Sequence, residues 1–464
     1  MKRASRSALI IWAAITLLVA TSLLVIYLKL GMNGFSIFIQ QPPLINLPVT
    51  LASVALLWLS VGALLYLLQA KRINQSNLLS VAGFFLVCWV YLNILSERFR
   101  YGDYTYYLDA ATSMYKNQPL AGGYFYPPLW ATLTQYLVPF GRDTFFMVLW
   151  LLNFFSFLAL YVLLLRILER YGFSPRLAAP ITTLFMLVNV PLLRTLLYVQ
   201  INIHALNFIL LSLLLYPRRA FLSALMLAIA IHLKASPAVL VLAFLFEKDW
   251  RWLGWFILSM FLVAGITVAT NGITPFFDVL THMQGLSLSE NTIFHDTSFD
   301  SFLRFADPFL RINLFWTRIL IYAAKALLTA ATIWVMVQCA RTKAFFKGDG
   351  RGAMVLNSIP PLFILMTLAS PVVWEHHGIF VALSFLVLLK RLESPSEWLW
   401  FGFAYLLEFL LPTFDFFPWS FGRLVAPLIV LWLLWQSAKR KDDSTLFNGL
   451  NHWFEELHCV KRTA

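Results

Sequence analysis

The chain has 464 residues, of which 60% are hydrophobic and 12% are charged, and its mean hydropathy is +0.75. These values lie outside the range of soluble proteins and indicate a polytopic membrane protein. The formal charge of +13 does not indicate nucleic-acid binding, because the basic residues form short clusters between apolar runs, as membrane topology requires.

Apolar runs of roughly 17 to 25 residues, the length that crosses a bilayer as a helix, recur along the chain. The first run follows the basic segment MKRASRS without a small-residue cleavage site, so we interpret it as a signal anchor. Residues 220–246 are interrupted by IHLKASP and are predicted to form two short helices. The pattern predicts an all-α protein with about 12–14 transmembrane helices. Besides the two short helices in 220–246, spans are predicted at 8–30, 48–69, 79–95, 144–166, 177–195, 197–216, 252–270, 314–338, 353–369, 377–390, 396–412 and 419–436.

Most of the 35 Lys and Arg fall in alternate loops. The positive-inside rule then places both termini in the cytoplasm and the polar motifs on the extracytoplasmic face. We expect two N-terminal helices over residues 1–78, a main transmembrane domain over 79–437 and a basic cytoplasmic tail over 438–464. Extracytoplasmic loops are expected at 97–143 and 271–313. The three cysteines are far apart, so neither a disulfide framework nor a cysteine-bound metal is expected.

The stretch RYGDYTYYLDAA is predicted to form a short helix on the extracytoplasmic membrane surface. Asp103 could cap this helix or act as a catalytic carboxylate, and the two roles can coexist. At 100° per residue, Tyr107 and Ala110 share the face of Asp103, whereas Asp109 points away. Asp109 is therefore the poorer candidate.

Two further motifs place polar side chains among apolar ones. In YFYPPLW, Pro127 and Pro128 are predicted to begin a helix and, with Tyr126, to shape a cleft. In YVQINIHALNF, the residues Gln200, His204 and Asn207 are spaced i, i+4 and i+7. Such a stripe should face the bundle interior or a watery cavity, and a simple interhelical hydrogen bond is the alternative role.

Lys234, in the break HLKASP, needs an anionic partner or an exit to water, so both snorkelling and phosphate binding stay open. SPVVWEHH places His376 and His377 at the start of a helix. Adjacent histidines cannot form the i, i+4 pair of a helical zinc site, so no metal is expected. One of them could orient a carboxylate, donate to a phosphate or cap the helix.

The loop from 271 to 313 carries His295, Asp296 and Arg304 on the same side of the membrane. Its apolar spacing predicts an amphipathic helix lying on the membrane surface.

Six motifs, taken in chain order, resemble glycosyltransferase family eighty-seven over roughly residues 97–392. They are GDYTYYLDAA, YFYPPLWATLTQYLVPFG, VQINIHALNFILL, IHLKASPAVLVL, TSFDSFLRF and SPVVWEHHGIFVAL. This family belongs to the membrane-embedded GT-C class and includes polyprenol-phosphate-mannose-dependent α-mannosyltransferases. The resemblance implies a GT-C fold, with the catalytic domain in residues 79–437. It also implies a plasma-membrane enzyme that moves a hexose, with mannose expected, from a lipid-phosphate donor to an extracytoplasmic glycan or glycolipid.

The resemblance also implies roles for individual residues. Asp103 would be the general base of an inverting reaction, and Lys234, with Arg304 as a helper, would stabilise the leaving phosphate without a metal or cofactor. His376 or His377 would orient or tune Asp103. The remaining candidates are expected to bind substrate, namely Tyr107, Tyr126, Gln200, Asn202 and His204.

The chain departs from the family pattern in two places. The family commonly has Gly-Gln-hydrophobic-Asn, whereas this chain has Val199-Gln200-Ile201-Asn202, which removes the close backbone approach that a glycine permits. The catalytic loop follows the third predicted span rather than the first, implying two added N-terminal helices. Competing interpretations are a transporter or lipid flippase, for which the hydropathy shows no repeated halves, and a non-catalytic scaffold or an oligosaccharide polymerase.

Overall fold

The structure is a computed structural model that describes residues 103–288, 296–310, 314–348, 352–411, 421–440 and 442–456, with scattered helical positions between Ile10 and Tyr91. Within this described part, every regular element is a helix. The expectation of an all-α chain is therefore confirmed.

From Asp103 onward, the described residues form seventeen α-helices, with three 3-10 segments and one π turn between them. The 3-10 segments cover Gln135–Phe140, Ser236–Leu240 and Glu375–Val381, and the π turn covers Leu406–Leu410. The α-helices are α1 Tyr104–Tyr115, α2 Leu129–Thr134, α3 Arg142–Arg170, α4 Pro175–Leu187, α5 Val190–Leu197, α6 Asn202–Leu215, α7 Ala220–Leu233, α8 Val241–Glu247, α9 Trp250–Asn271, α10 Thr274–Leu288, α11 Phe299–Leu310, α12 Leu314–Thr342, α13 Ala353–Leu368, α14 Ala382–Leu388, α15 Pro395–Tyr405, α16 Gly422–Ala438 and α17 Thr445–Glu456.

The span predicted at 177–195 is broken, which corrects the expectation of one continuous helix. Asn189 accepts a hydrogen bond from the backbone N–H of Leu192 at 2.9 Å, and Pro191 stands in the first turn of α5. A side-chain cap followed by proline starts a new helix rather than continuing the old one. The axes of α4 and α5 consequently meet at a bend of 62°.

By length and composition, three described helices can cross a membrane, α3, α9 and α12, or four if the bent pair α4 and α5 is one span. Several other apolar helices are shorter, at 10–17 residues. Every residue of α13 except Met354 is buried, so this helix lies inside the bundle. The described helices are those of a membrane protein, while the total of 12–14 spans stays a prediction.

Most predicted local elements are present. Residues from Tyr104 to Ala111 form the first part of α1, and Pro128 precedes α2. Residues 220–246 form short helices on both sides of Lys234, and α11 begins at Phe299 within the TSFDSFLRF motif. The predicted span at 48–69 and His295 lie wholly outside the described residues, and the span at 79–95 lies mostly outside them. In the span at 8–30, the described positions are helical.

The predicted tail folds back onto the bundle as α17. The Asn451 side chain accepts from the backbone N–H of Ser174 at 2.7 Å, and Phe447 packs edge-on against Phe173. Just before α17, Asp443 forms an ion pair with the fully buried Arg391 at 3.2 Å and with Lys390 at 3.6 Å. Asp443 also lies 3.6 Å from the exposed Lys347, so it supplies the counter-charge for three cations at this end of the bundle.

Replacing Asp443 with asparagine should destabilise the protein. The amide keeps the shape but leaves Arg391 and Lys390 without their carboxylate, and breaking a buried ion pair costs about 3 kcal/mol. The neighbouring Asp442, with 92% of its side chain exposed, lies 3.8 Å from Lys347 and serves as the control. We expect a lower unfolding temperature for D443N and little change for D442N, and equal effects would contradict the counter-charge role.

Candidate active site

Three interruptions of apolar helices meet around Asp103. They are the turn from Tyr198 to Ile201 between α5 and α6, the break after Lys234, and the segment from Ser370 to Trp374 before the third 3-10 helix. The hydrogen bonds described below connect these interruptions to one another and to the start of α1. Each interruption contributes polar groups to a cluster that is otherwise surrounded by apolar helices.

Asp103 occupies the N-cap position of α1, but its side chain caps no helical N–H. Its backbone N–H donates to the Tyr198 carbonyl at 3.0 Å, and its Oδ2 accepts a hydrogen bond from the Gln200 amide. Burial raises the pKa of Asp103 to about 6, although the Gln200 donor and the positive charge of Lys234 both lower it. Of the two roles considered for Asp103, side-chain capping is wrong, and the carboxylate instead faces the cluster.

The two other residues of the α1 face behave as their spacing predicts. Tyr107 and Ala110 are fully buried, whereas Asp109 is exposed. The Tyr107 hydroxyl donates to Gln200 Oε1 at 3.2 Å and accepts from the backbone N–H of Ile201 at 3.3 Å. Helix α1 therefore presents Asp103 and Tyr107 to the same turn.

Tyr126 reaches that turn from the loop before α2. Its hydroxyl donates to Gln200 Oε1 at 3.0 Å, and its ring meets the Tyr107 ring edge-on with centroids 5.6 Å apart. Gln200 itself lies before α6 rather than on it, which corrects the predicted helical stripe with His204 and Asn207. All three residues of that stripe are nevertheless buried.

Val199 adopts a left-handed backbone conformation with φ +54°. The N–H groups of Val199 and Gln200 donate to the Leu196 and Thr195 carbonyls at 3.2 and 2.8 Å. This is the Schellman arrangement that ends a helix, and its left-handed position normally carries glycine. The structure thus explains why a glycine suits this position, and shows that valine accommodates the same backbone at a cost in strain.

Lys234 lies in the break between α7 and the second 3-10 helix. Its Nζ donates to Asn202 Oδ1 at 2.8 Å and lies 5.4 Å from the ring centroid of Phe380 and 5.8 Å from that of Tyr126. Burial lowers the pKa of Lys234 to about 7, against the opposing effect of Asp103. Within the described residues, no carboxylate lies within 4 Å of this ammonium, so its partners are neutral.

His376 and His377 begin the third 3-10 helix with rings 4.7 Å apart and nearly perpendicular. The His376 carbonyl accepts from Thr195 Oγ1 at 3.3 Å and from Asn202 Nδ2 at 3.4 Å. His377 Nδ1 accepts from the backbone N–H of Trp374 at 3.2 Å. The pair is thereby fixed to the turn that carries Gln200 and Asn202. Among the described residues, no group of three or more His, Cys, Asp or Glu side chains is placed to hold a metal ion.

A buried ion-pair triad supports the histidines, and the sequence analysis missed it. Glu375 pairs with Arg194 at 3.2 Å and with Arg423 at 2.8 Å, and both arginines are buried. Arg194 also donates to the Tyr198 hydroxyl at 3.1 Å. The signal was available, because Arg194 and Arg423 fall inside predicted spans at 177–195 and 419–436, where a charged side chain requires a partner.

Two predicted site residues lie apart from this cluster. His204 Nδ1 is 2.6 Å from Ser156 Oγ, and its ring packs against Trp130. Arg304 is half-buried on α11, outside the three interruptions that form the cluster. Their predicted roles in substrate binding stay predictions.

Asp296 connects the loop before α11 to the histidine segment. Its Oδ1 accepts from the backbone N–H groups of Val373 and Ser298 at 2.8 and 2.9 Å, and the Thr297 N–H donates to the Val373 carbonyl at 2.7 Å. Burial raises the pKa of Asp296 to about 6, although these donors lower it. Asp296 therefore anchors the irregular segment that leads into Trp374 and the two histidines.

The sequence model of glycosyltransferase family 87 matches residues 124–371, just over half of the chain. The chain therefore belongs to glycosyltransferase family 87 and is a membrane glycosyltransferase. No curated protein and no solved structure matches it. Tyr126, Gln200, Asn202 and Lys234 lie within the matched region, while Asp103 precedes it and the two histidines follow it.

The left-handed backbone at Val199 predicts an unusual order of stability among substitutions. Glycine and alanine both lose the packing of the buried valine, but only glycine relieves the backbone strain. V199G should therefore be more stable than V199A by about 1 kcal/mol. Ala205, fully buried within α6, is the control, because A205G should instead lower stability by about 1 kcal/mol. Unfolding temperatures check both comparisons, V199G against V199A and A205G against the unchanged protein. A higher unfolding temperature for V199A than for V199G would contradict the assignment of strain to Val199.

Proposed function

We propose that the protein transfers a hexose, with mannose as the expected sugar, from a polyprenyl-phosphate donor to an extracytoplasmic glycan or glycolipid. The observation that carries the proposal is the presence of one half-buried carboxylate, Asp103, and one half-buried ammonium, Lys234, in the same cluster, joined through Gln200 and Asn202 of one turn. Family membership supports the enzyme over the transporter and scaffold interpretations. The loop positions and charge distribution support a GT-C fold in the plasma membrane, with the site outside and both termini inside.

Asp103 acts as the general base. Its carboxylate takes the proton of the acceptor hydroxyl while that oxygen forms a bond to the anomeric carbon. The bond from this carbon to the phosphate oxygen breaks on the opposite side, so the configuration inverts and polyprenyl phosphate leaves. A pKa of about 6 suits this task, because the carboxylate is ionised near neutral pH and still holds a proton better than an exposed aspartate.

Lys234 stabilises the leaving phosphate. The donor is a phosphodiester with one negative charge, and the departing monoester develops a second charge during the reaction. Among the described residues, the one side chain that forms a hydrogen bond with this ammonium is the neutral Asn202, so the positive charge is available to the phosphate. Because the site is partly dehydrated, this attraction is stronger than it would be in water.

His376 and His377 shape the wall between the base and the phosphate. The triad of Glu375, Arg194 and Arg423 holds their segment from one side, and the Asp296 contacts hold it from the other. In this proposal one histidine orients an acceptor hydroxyl toward Asp103 or donates to the phosphate.

The base role predicts a loss of transfer when Asp103 is replaced. D103N keeps the acceptor of the Gln200 hydrogen bond but cannot take a proton, so transfer should fall at least about 100-fold. The assay uses synthetic radiolabelled polyprenyl phosphate mannose, with glucose and galactose donors in parallel, and glycolipids extracted from a strain lacking the gene. Asp109, exposed on the same helix, provides the control variant D109N, which should keep full transfer. Full transfer by D103N would remove Asp103 as the base.

The same role predicts the pH dependence. The reaction needs the ionised Asp103 carboxylate and the protonated Lys234 ammonium, whose pKa burial lowers to about 7. The kcat/KM should therefore fall about tenfold for each pH unit below about pH 6 and fall again as the pH rises above about pH 7. A profile that stays flat down to pH 4.5 would contradict a base with this raised pKa.

Lys234 is tested through product binding as well as through transfer. K234M keeps the length of the side chain and removes the charge, so transfer should fall about 100-fold and inhibition by polyprenyl phosphate should weaken. K234R, which keeps the charge, should retain part of both. The control is K248M, at an exposed lysine after α8. Unchanged inhibition by polyprenyl phosphate in K234M would show that Lys234 does not contact the phosphate.

A further inference from the structure

The side-chain amide of Gln200 has a fixed orientation. Its Oε1 accepts from two hydroxyls, those of Tyr107 at 3.2 Å and Tyr126 at 3.0 Å. The Tyr107 oxygen already accepts from the N–H of Ile201, so its single proton is free for Gln200. An amide oxygen with two donors leaves the nitrogen to face elsewhere, and here Nε2 donates to Asp103 Oδ2.

Asp103 is held by the main chain of the same turn. The Tyr198 carbonyl accepts from the Asp103 N–H, and Gln200, two residues further on, contacts the carboxylate. The intervening Val199 takes the left-handed conformation that turns both groups toward α1. Strained backbone is typical of functional sites, where surrounding contacts hold a geometry that the residue alone would avoid.

The two carboxylate oxygens of Asp103 differ in their surroundings. Oδ2 is bound by Gln200, whereas Oδ1 has no hydrogen-bond partner within the part of the chain that the structure describes. A base needs one oxygen held and the other available to the incoming hydroxyl. The arrangement at Asp103 meets that requirement.

Gln200 is poorly placed to bind substrate. Its side chain is fully buried, as is that of Tyr107, and its amide oxygen has both lone pairs engaged. A substrate contact would require the turn to open. The substrate-binding role expected for these two residues is therefore not the one that their contacts favour.

We propose that Gln200 is a positioning residue that holds Oδ2 of Asp103 and aims Oδ1 at the acceptor, with Tyr107 and Tyr126 fixing the direction of its amide. The consequence for catalysis rests on the proposed role of Asp103 as base. The contact between Gln200 and the Asp103 carboxylate does not depend on that role, and it can be measured in the resting protein without substrate.

Infrared difference spectroscopy over a pH titration tests the proposal directly. The carbonyl band of protonated Asp103 is identified by its loss in D103N. Q200L removes the donor while keeping similar bulk, so the midpoint of this band should rise by about 1 pH unit, a tenfold gain in proton affinity. The double variant Y107F/Y126F keeps both rings but frees the amide to rotate, and it should shift the midpoint in the same direction by less.

Other ionisable groups face Asp103, namely Lys234, Tyr107, Tyr126 and Tyr198. Their vibrations are distinct from a carboxylic carbonyl band. Other carboxyl groups that titrate in this range, such as Asp296, are excluded because their bands persist in D103N. Gln135, another buried glutamine that pairs with Asn271 at 3.0 Å, supplies the control for loss of a buried amide. Q135L should leave the Asp103 midpoint unchanged.

The outcomes separate this inference from the proposed function. An unchanged midpoint in folded Q200L, or in folded Y107F/Y126F, would overturn the positioning role even if D103N were inactive. If the midpoint rises in Q200L and Y107F/Y126F but D103N remains active, Gln200 positions the Asp103 carboxylate and Asp103 is not the base. When both proposals hold, the acidic limb of the transfer profile moves to higher pH by the same amount in Q200L.

Discussion

Every interruption of a helix inside an apolar bundle leaves backbone and side-chain polar groups that only the protein can satisfy. The organisation of the site follows from this constraint. The turn after α5 directs the Tyr198 carbonyl and the Gln200 amide at Asp103, and Asn202, the first residue of α6, connects Lys234 to the His376 carbonyl. The groups released by broken helices thus satisfy one another, and the site is the place where they meet.

The same physical effect, loss of water around a charged group, brings the pKa values of Asp103 and Lys234 close to neutral pH. Burial raises the pKa of Asp103 and lowers that of Lys234, and their mutual attraction only partly opposes this. Direct pairing with an arginine would hold the Asp103 pKa far lower and make it a poor base. The arginines that pair with Glu375, Arg194 and Arg423, do not contact Asp103, so the Asp103 carboxylate has a neutral donor and the Lys234 ammonium has a neutral acceptor.

Hydropathy and helix-start signals were sufficient to predict the all-helical bundle, the short α1 and the break at Lys234, because each depends on local sequence. They did not predict the break at Asn189, where a polar cap and Pro191 interrupt an otherwise apolar run. Asp103, Lys234 and the histidines were found by their polarity in apolar surroundings and by resemblance to a family. The Arg194, Glu375 and Arg423 triad joins positions far apart in the chain, and spacing alone carries no information about such contacts.

Val199 shows how local pattern and tertiary structure can disagree without changing the chemistry. The sequence favours an ordinary extended or helical valine, since β-branched residues avoid positive φ. The Schellman bonds at Leu196 and Thr195, together with the Gln200 and Tyr198 contacts to Asp103, impose the left-handed conformation nonetheless. Strain at one residue is therefore balanced by contacts made by its two neighbours, both of which act on Asp103. A conformation maintained in this way depends on the carboxylate it positions, so the turn and the Asp103 carboxylate stabilise each other.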